Sequence, residues 1–246
     1  MIVLVNGAGG RLGEEVIKEA KAAGNEVVAA DKSGRSSEEV TFARLADYRG
    51  KADVIVDFSF HTATRELTEY AVERKLPLVI ATTGQTEEEK EIIRLAAKEI
   101  PVFFSANMSF GVALLTSLVS QAAALLKEDD VEIIEYHHNK KADAPSGTAL
   151  MIAGAIEEAR GGMNRVIGRS GVRKREKGDL GISSVRIGSV VGKHEVMFSD
   201  GVETVTITHE AHDKALFARG ALRAAAFLMG KAPGLYAMKD LLEDAQ

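Results

Sequence analysis

The chain has no cysteine among its 246 residues. This absence excludes disulfide bonds, thiol catalysis and cysteine-based metal sites, and we predict no metal centre. No apolar stretch approaches the length of a transmembrane helix. The opening apolar run, residues 1–5, is too short for a signal-peptide core and has no basic leader, so we expect a cytoplasmic protein.

Positive charge is also in short supply. The 31 Lys and Arg residues are outnumbered by 36 Asp and Glu residues, which leaves a formal net charge of -5. This balance argues against a nucleic-acid partner and against a membrane-surface role. The length allows one large domain or two modest ones with an ample core. A small molecule is therefore the partner that we expect.

A glycine-rich turn follows the first strand. The apolar strand Ile2–Val5 runs into a G-x-x-G-x-x-G turn, a helix comes next, and a second strand ends at Asp31, 18 residues past Gly13. Such glycines permit a tight turn and close approach of a pyrophosphate, and the acid can bond the adenosine ribose hydroxyls. This order predicts dinucleotide binding, with turn contacts from Gly7, Ala8, Gly9, Gly10, Arg11 and Leu12.

The residues around Asp31 leave the choice of dinucleotide open. The Asp31 carboxylate would repel a 2′-phosphate, which favours NAD. Lys32 and Arg35 could attract that phosphate, which favours NADP. We therefore expect either NADH or NADPH as the cofactor.

Strands and helices continue to alternate through the first half of the chain. Further strands are predicted at 52–58, 78–81 and 102–104, as in a Rossmann-like, doubly wound parallel sheet. Because the carboxyl ends of parallel strands meet at one edge, the segments that follow them should face the cofactor. These are Phe58, Ser59, Ala81, Thr82, Thr83, Ser105, Ala106, Asn107 and Met108.

The pattern changes after a predicted helix at 111–126. Strands now follow one another with fewer helices between them, and residues 199–201 indicate a hairpin. We predict a second, α+β domain at 109–213, and a dinucleotide-binding domain made of 1–108 plus 214–246. The glycine-rich, basic segment 161–181 predicts a solvated, mobile loop. The strands predicted in the second domain are 131–134, 182–191, 194–198 and 202–210.

Titratable residues cluster between one strand and one helix of the second domain. The stretch 135–148 holds His137, His138 and Lys141, and it ends in Ser-Gly-Thr at the start of a helix. Histidine can move a proton near neutral pH, and Lys141 can donate a proton or pair with an anion. The backbone N–H groups of a helix N-terminus can bind a carboxylate or a phosphate. This stretch is the predicted active site.

The chain resembles the dihydrodipicolinate reductase family of lysine and diaminopimelate biosynthesis almost from end to end. Specific motifs are the glycine turn, Val56-Asp57-Phe58-Ser59, Thr82-Thr83-Gly84 and the segment 106–112. The central motif is His137-His138-x-x-Lys141-x-Asp143-Ala144-Pro145-Ser146-Gly147-Thr148-Ala149.

This resemblance implies a function. The family reduces 4-hydroxy-tetrahydrodipicolinate, or dihydrodipicolinate, to tetrahydrodipicolinate with NADH or NADPH. The resemblance implies that His137 donates or accepts a proton and that Lys141 is a proton donor. It also implies that His138, Gly147 and Thr148 bind the substrate carboxylates. A homotetramer joined through the second-domain sheets is implied as well.

Three positions depart from the family pattern. Ala81 replaces a common Gly, Met108 a common aromatic residue and Lys214 a common Arg. None of them removes a catalytic group, so they bear on cofactor affinity and substrate contacts.

Two other functions compete with this interpretation. Tyr136 and Lys140 form a Y-x-x-x-K pattern, the signature of short-chain dehydrogenases, but that signature requires a helix and here it follows a strand. A non-catalytic dinucleotide sensor is the second alternative. Measured turnover would separate a sensor from an enzyme.

Overall fold

The computed structural model of the protein describes residues 1–32 and 42–245. Arg35, one of the residues considered for cofactor choice, lies outside them. In chain order the strands are β1 (Ile2–Asn6), β2 (Glu26–Ala30), β3 (Val54–Asp57), β4 (Leu78–Ile80), β5 (Pro101–Phe104), β6 (Asp130–His137), β7 (Asn164–Ile167), β8 (Asp179–Arg186), β9 (Gly192–Ser199), β10 (Thr204–Ala211) and β11 (Gly234–Tyr236).

Seven α-helices lie in the described part of the chain. Within it, none is long and apolar enough to cross a membrane. The helices are α1 (Arg11–Ala22), α2 (Thr64–Arg74), α3 (Glu87–Ala96), α4 (Phe110–Leu125), α5 (Gly147–Arg160), α6 (Ala215–Leu228) and α7 (Met238–Glu243).

The chain divides into two compact units, residues 1–110 with 214–246 and residues 111–213. The first unit has a six-stranded sheet in the order β11-β5-β4-β3-β1-β2. All of its pairings are parallel, as the doubly wound prediction requires. The sixth strand, β11, comes from the C-terminal segment and was not predicted. Its three residues are too few to show a periodic pattern.

The first sheet forms because its strands are apolar on both faces. Strands β1, β3 and β4 are almost entirely buried, as expected where helices cover both faces of a parallel sheet. Helix α6 completes this unit after the chain returns at residue 214. It packs against α1, where Arg219 Nε donates to Glu19 Oε2 at 2.8 Å.

The second unit contains a mixed sheet in the order β10-β9-β6-β8-β7. Strand β6 pairs in parallel with β8 and antiparallel with β9, and β9 and β10 form the predicted hairpin. Alternate residues of β6 and β9 are buried, and their apolar members form one core with α4 and α5. The rest of each strand faces away from these helices, so one sheet face lacks a helical cover within the second unit.

The segment 161–181 was predicted to be a solvated, mobile loop, but part of it is a strand. It contains β7, which pairs with β8, and its arginines are engaged in ion pairs. Arg169 and Arg173 each lie 3.3 Å from the buried carboxylate of Asp179, and Arg175 pairs with Asp130 and Glu132. Strand β8 also starts earlier than predicted and ends at Arg186 instead of Val191.

Two helical glycines give a test of this packing. A Cβ added to Gly220 in α6 would lie 1.7 Å from the carbonyl oxygen of Met108, whereas one added to Gly154 in α5 would meet only Arg165 Nη2, at 4.0 Å. We expect Gly220→Ala to lower the free energy of unfolding by about 1–3 kcal/mol through overpacking. Gly154→Ala should instead raise it by roughly 0.5–1 kcal/mol, the usual gain of Ala over Gly in a helix. Urea denaturation measures both changes in the free energy of unfolding. Equal changes in the two variants would contradict the close contact between Gly220 and the Met108 carbonyl.

Candidate active site

The glycine turn between β1 and α1 is built so that only glycine fits at two positions. Gly7 has φ +80°, and a Cβ there would lie 2.7 Å from the Phe58 carbonyl group. A Cβ on Gly13 would lie 2.1 Å from the Gly7 carbonyl oxygen. Gly10 caps α1 and has no side chain to cover the helix N-terminus. The backbone can therefore come close to a phosphate at the positive end of the helix dipole.

A cavity of about 480 Å³ lies beside this turn. Four residues of the predicted cofactor set line it, Gly9, Gly10, Asp31 and Lys32, and Arg44 lines it as well. Asp31 Oδ2 accepts a hydrogen bond from the Gly9 N–H at 2.8 Å. Asp31 therefore also ties the glycine turn to the end of β2, a role that the sequence did not predict.

A second cavity of about 370 Å³ lies at the ends of the central strands. Leu12 lines it, together with Ala81, Thr82, Thr83, Ala106 and Met108 of the predicted cofactor set. Ser105 and Asn107 shape the loop that precedes α4. Ser105 Oγ donates to the Asn107 carbonyl at 2.8 Å, and Asn107 Oδ1 accepts from the Ser109 N–H at 2.9 Å. Ala8 is fully buried, and Arg11 is exposed on the first turn of α1.

Asp57 is a buried residue of this region and had no predicted role. Its carboxylate accepts hydrogen bonds from Asn6 Nδ2 at 2.7 Å, Ser59 Oγ at 2.6 Å and Thr82 Oγ1 at 2.6 Å. Burial raises the pKa of Asp57, and the three hydrogen bonds oppose that rise. Asp57 joins the carboxyl ends of β1, β3 and β4. The glycine turn, the anion-ready helix end and the two cavities fit an extended nicotinamide dinucleotide.

In the second unit, the centre of the site is the carboxylate of Glu135 on β6. The strand alternates, so Glu135 points to the same covered face as Ile133 and is fully buried. Arg186 on β8 donates to both carboxylate oxygens at 2.8 and 2.9 Å. The Ser146 N–H donates at 3.1 Å, and His137 Nδ1 lies 2.5 Å away. The buried charge is thus satisfied on every side.

These contacts keep Glu135 ionised. Burial would raise its pKa, but the hydrogen bonds from Arg186 and His137 outweigh burial and lower the pKa to about 2. An ionised acceptor at Nδ1 places a proton on that nitrogen of His137. The other nitrogen, Nε2, lies beside Gly192, where an added Cβ would stand 3.1 Å from it. Burial lowers the pKa of His137, and the Glu135 charge works against this shift.

Lys141 lies on the loop between β6 and α5. Its Nζ pairs with Asp143 Oδ1 at 2.8 Å, and the Lys141 side chain is 22% exposed. Arg186 donates to the Asp143 carbonyl oxygen, so the arginine that neutralises Glu135 also holds this loop. His138 Nδ1 is buried and has no protein hydrogen-bond partner among the described residues.

The loop ends at the N-terminus of α5. Ser146 is the N-cap, and its Oγ accepts from the Ala149 N–H at 3.1 Å. Gly147 and Thr148, the predicted substrate contacts, occupy the first positions of the helix. Backbone N–H groups at this end of a helix favour an anion. The structure thus brings His137, His138, Lys141, Gly147 and Thr148 onto one continuous strand-to-helix connection.

His194 on β9 packs against His137 and Ser146. It is 3% exposed, its Nε2 lies 3.1 Å from Ser146 Oγ, and its ring centroid is 5.3 Å from that of His137. Burial lowers the pKa of His194 to about 4, and the neighbouring His137 adds to this shift. It is a neutral, structural histidine at pH 7.

Glu135 and Arg186 had no predicted role. One signal was available for Glu135: a carboxylate at an inward position of an apolar strand requires a partner. Arg186 could not be found this way, because its ion pair with Glu135 depends on the register of two strands. In that register, Arg186 of β8 stands opposite His137 of β6.

The short-chain dehydrogenase signature is excluded by the same geometry. Tyr136 lies in β6, where its hydroxyl donates to Glu195 Oε2 at 3.2 Å. Lys140 is exposed in the turn that follows. The two residues do not share a helix face.

The first unit has the fold and the cavities of a dinucleotide-binding domain, and the second holds a buried acid–histidine pair beside a lysine and an anion-ready helix end. Fold and site together define a nicotinamide-dependent oxidoreductase.

Comparison with known proteins identifies the family. Models described as the N-terminus and C-terminus of dihydrodipicolinate reductase match residues 1–108 and 111–242. The chain therefore belongs to the dihydrodipicolinate reductase family. It is 45% identical to the 4-hydroxy-tetrahydrodipicolinate reductase of Caldanaerobacter subterraneus subsp. tengcongensis, with 98% of each chain covered. The Clostridium tetani enzyme of that name is 40% identical, with 98% of this chain and 96% of the relative covered.

A solved structure agrees with this assignment. Dipicolinate-bound dihydrodipicolinate reductase from Paenisporosarcina sp. TG-14 has a TM-score of 0.83 and 25% identity, with 96% of this chain and 97% of that chain covered.

The buried state of His194 predicts a specific pH dependence of stability. Below pH 6.5 the unfolded histidine binds a proton that the folded one does not, so stability falls as the pH drops from 6.5 to about 4. This linkage corresponds to roughly 2 kcal/mol at pH 5. Urea denaturation at fixed protein concentration should show a smaller loss between pH 7 and pH 5 in His194→Gln than in the wild type. The exposed His212→Gln control should behave like the wild type, and equal losses in all three proteins would contradict the assignment.

Proposed function

We propose that this protein reduces 4-hydroxy-tetrahydrodipicolinate, or its dehydrated form dihydrodipicolinate, to tetrahydrodipicolinate with NADH or NADPH, in lysine and diaminopimelate biosynthesis. The observation that carries the proposal is the arrangement in the second unit. His137 is held by a buried carboxylate, and it lies on the same short connection as Lys141 and the N-terminus of α5.

The second unit is suited to a dicarboxylate. The N-terminal N–H groups at Gly147 and Thr148 can receive one carboxylate, and His138, on the same connection, is the proposed further contact. Lys141 supplies a positive charge beside them. Its present partner, Asp143, is 58% exposed, so a substrate carboxylate can replace this weak surface pair.

The proton chemistry follows from the charges around His137. The bound cofactor supplies the hydride. Addition of a hydride to a conjugated imine leaves an electron-rich enamine, which must gain a proton. His137 can deliver a proton from Nε2 when the ring is doubly protonated, with its Nδ1–H still bonded to Glu135, and the neutral Nδ1–H ring can accept a proton at Nε2. Lys141, within the same connection, is the proposed proton donor, and its cationic head also stabilises negative charge on the substrate.

The cofactor region supports both dinucleotides. The Asp31 carboxylate is suited to ribose hydroxyls, whereas Lys32 and Arg44 line the same cavity and can attract a 2′-phosphate. Arg44 lies 3.6 Å from Glu66 in a mostly exposed pair, which is weak enough to be exchanged. We propose that the enzyme accepts both NADH and NADPH.

The family departures bear on these contacts. Ala81 and Met108 line the second cavity, where we propose that the nicotinamide end binds. Lys214 caps the start of α6. None of the three replaces a residue of the Glu135–His137–Lys141 arrangement.

We further propose a homotetramer joined through the sheet face that lacks a helical cover. This face presents Ile134 and Met197, which are only half-buried in the single chain. Glu195 on the same face accepts from Tyr136 and pairs with Lys193 at 2.6 Å, so its charges are largely neutralised. Such a face can be desolvated at low cost. The cytoplasm is the proposed location, where reduced nicotinamide dinucleotides are available.

The oligomer can be tested with a matched pair of variants. Light scattering after gel filtration should give the mass of four chains for the wild type. Ile134→Glu places a charge on the proposed interface and should lower that mass, because a buried unpaired charge is costly. Ile167→Glu changes the same residue type on the exposed edge strand β7 and should leave the tetramer intact. A monomeric wild type would overturn the proposal.

Turnover is the direct test of the enzyme. The product of the upstream synthase, supplied fresh, should be reduced while NADPH or NADH is oxidised, and separate assays rank the two cofactors. His137→Ala and Lys141→Ala should each lower kcat by about 100-fold or more, since positioned proton donors contribute 10²–10⁴-fold. Lys140→Ala, the exposed neighbour, is the control and should keep wild-type turnover. Cofactor binding without turnover in the wild type would favour the non-catalytic sensor.

A further inference from the structure

Glu135 has more hydrogen bonds than charge neutralisation requires. The two bonds from Arg186 already form a bidentate ion pair that balances its charge. The carboxylate nevertheless also receives the Ser146 N–H and the ring nitrogen of His137. A carboxylate serving only the core would not need a bond to the titratable group of the active site.

Each of these bonds positions a different part of the site. Because Nδ1 of His137 is bonded to Glu135, the other ring nitrogen, Nε2, faces Gly192. The bond to Ser146 fixes the N-cap of α5, and therefore the helix end proposed to bind a carboxylate. Arg186 extends the network to the Asp143 carbonyl, on the loop that carries Lys141.

We propose that Glu135 is a positioning residue for the reaction: it acts through His137 by holding the ring as the Nδ1–H tautomer, with Nε2 directed to the substrate. This inference rests on the proposed function and adds to it a residue that does not touch the substrate. Glu135 thus orients the ring of His137, as the aspartate of a Ser-His-Asp triad orients the general acid–base histidine.

The charges facing His137 determine the expected pH behaviour. Arg186 from β8 and Lys141 from the following loop disfavour its protonated form, and His194 from β9 packs against its ring. Glu135 provides the opposing negative charge. Without it, the pKa of His137 falls, so less of the histidine is protonated at neutral pH. The basic limb of the kcat–pH profile should then move to lower pH.

The test is Glu135→Gln in the purified, full-length enzyme. An amide keeps the shape but can donate to Nδ1, which favours the wrong tautomer. We expect kcat at pH 7.5 to fall about 10- to 100-fold, KM to stay within about threefold and the basic limb to shift down by about one pH unit. Glu135→Asp retains the charge and should keep the basic limb near its wild-type position, with a smaller loss of kcat.

Glu157→Gln is the matched control. Glu157 also accepts hydrogen bonds from an arginine, Arg165, on both carboxylate oxygens, but it lies toward the C-terminal end of α5, away from the helix start beside His137. We expect it to keep the wild-type pH profile. A Glu135→Gln enzyme with the same kcat and pH profile as the wild type would overturn the inference.

A measurement on the wild type completes the test. ¹⁵N–¹H spectra of histidine-labelled protein, with His137→Gln used to assign the resonance, should show the His137 ring protonated at Nδ1 when neutral. An Nε2–H tautomer would overturn the inference even if Glu135→Gln failed to fold. The proposed function fails by a different result, the absence of turnover in the wild type.

Discussion

The second unit depends on one buried negative charge. An ionised carboxylate inside a protein is tolerated only when strong donors surround it, and Glu135 meets Arg186, Ser146 and His137 within 3.1 Å. These donors come from β8, from the start of α5 and from β6 itself. The requirement to satisfy this charge therefore aligns the histidine, the anion-ready helix end and the lysine loop. Removal of any one donor would leave the others with an incompletely satisfied charge.

The first unit also has a buried carboxylate at the end of a central strand, but its environment is different. Asp57 accepts from an amide and two hydroxyls, without a cation among these donors, so burial raises its pKa. Glu135 has an arginine, and its pKa falls to about 2. Asp57 thus joins three strand ends at the cofactor region, while Glu135 keeps its charge next to His137, the histidine proposed to transfer a proton. Arg186 contributes to the lowered pKa of Glu135, whereas the hydrogen-bond donors to Asp57 are neutral.

Basic residues in this chain have two distinct uses that sequence alone did not separate. The arginines of 161–181 were predicted to lie in a solvated, mobile loop, yet Arg169 and Arg173 neutralise Asp179, which is 1% exposed. They hold β7 against the sheet of the second unit. Among the described residues, the ion-pair partner of Lys141 is the exposed carboxylate of Asp143. A substrate competes far more easily for a cation in a solvated pair than for one bound to a buried acid.

The sequence by itself determined the parts that depend on near neighbours in the chain. The strand–glycine–helix turn, the hairpin after β9 and the run from His137 to Thr148 have local signals, because turn sterics, strand alternation and helix capping act within a few residues. Only the tertiary structure decided which distant groups complete the site. Arg186 lies 51 residues from Glu135, and His194 lies 48 residues from Ser146. Their contacts follow from the register of β6 with β8 and β9, which long-range packing sets.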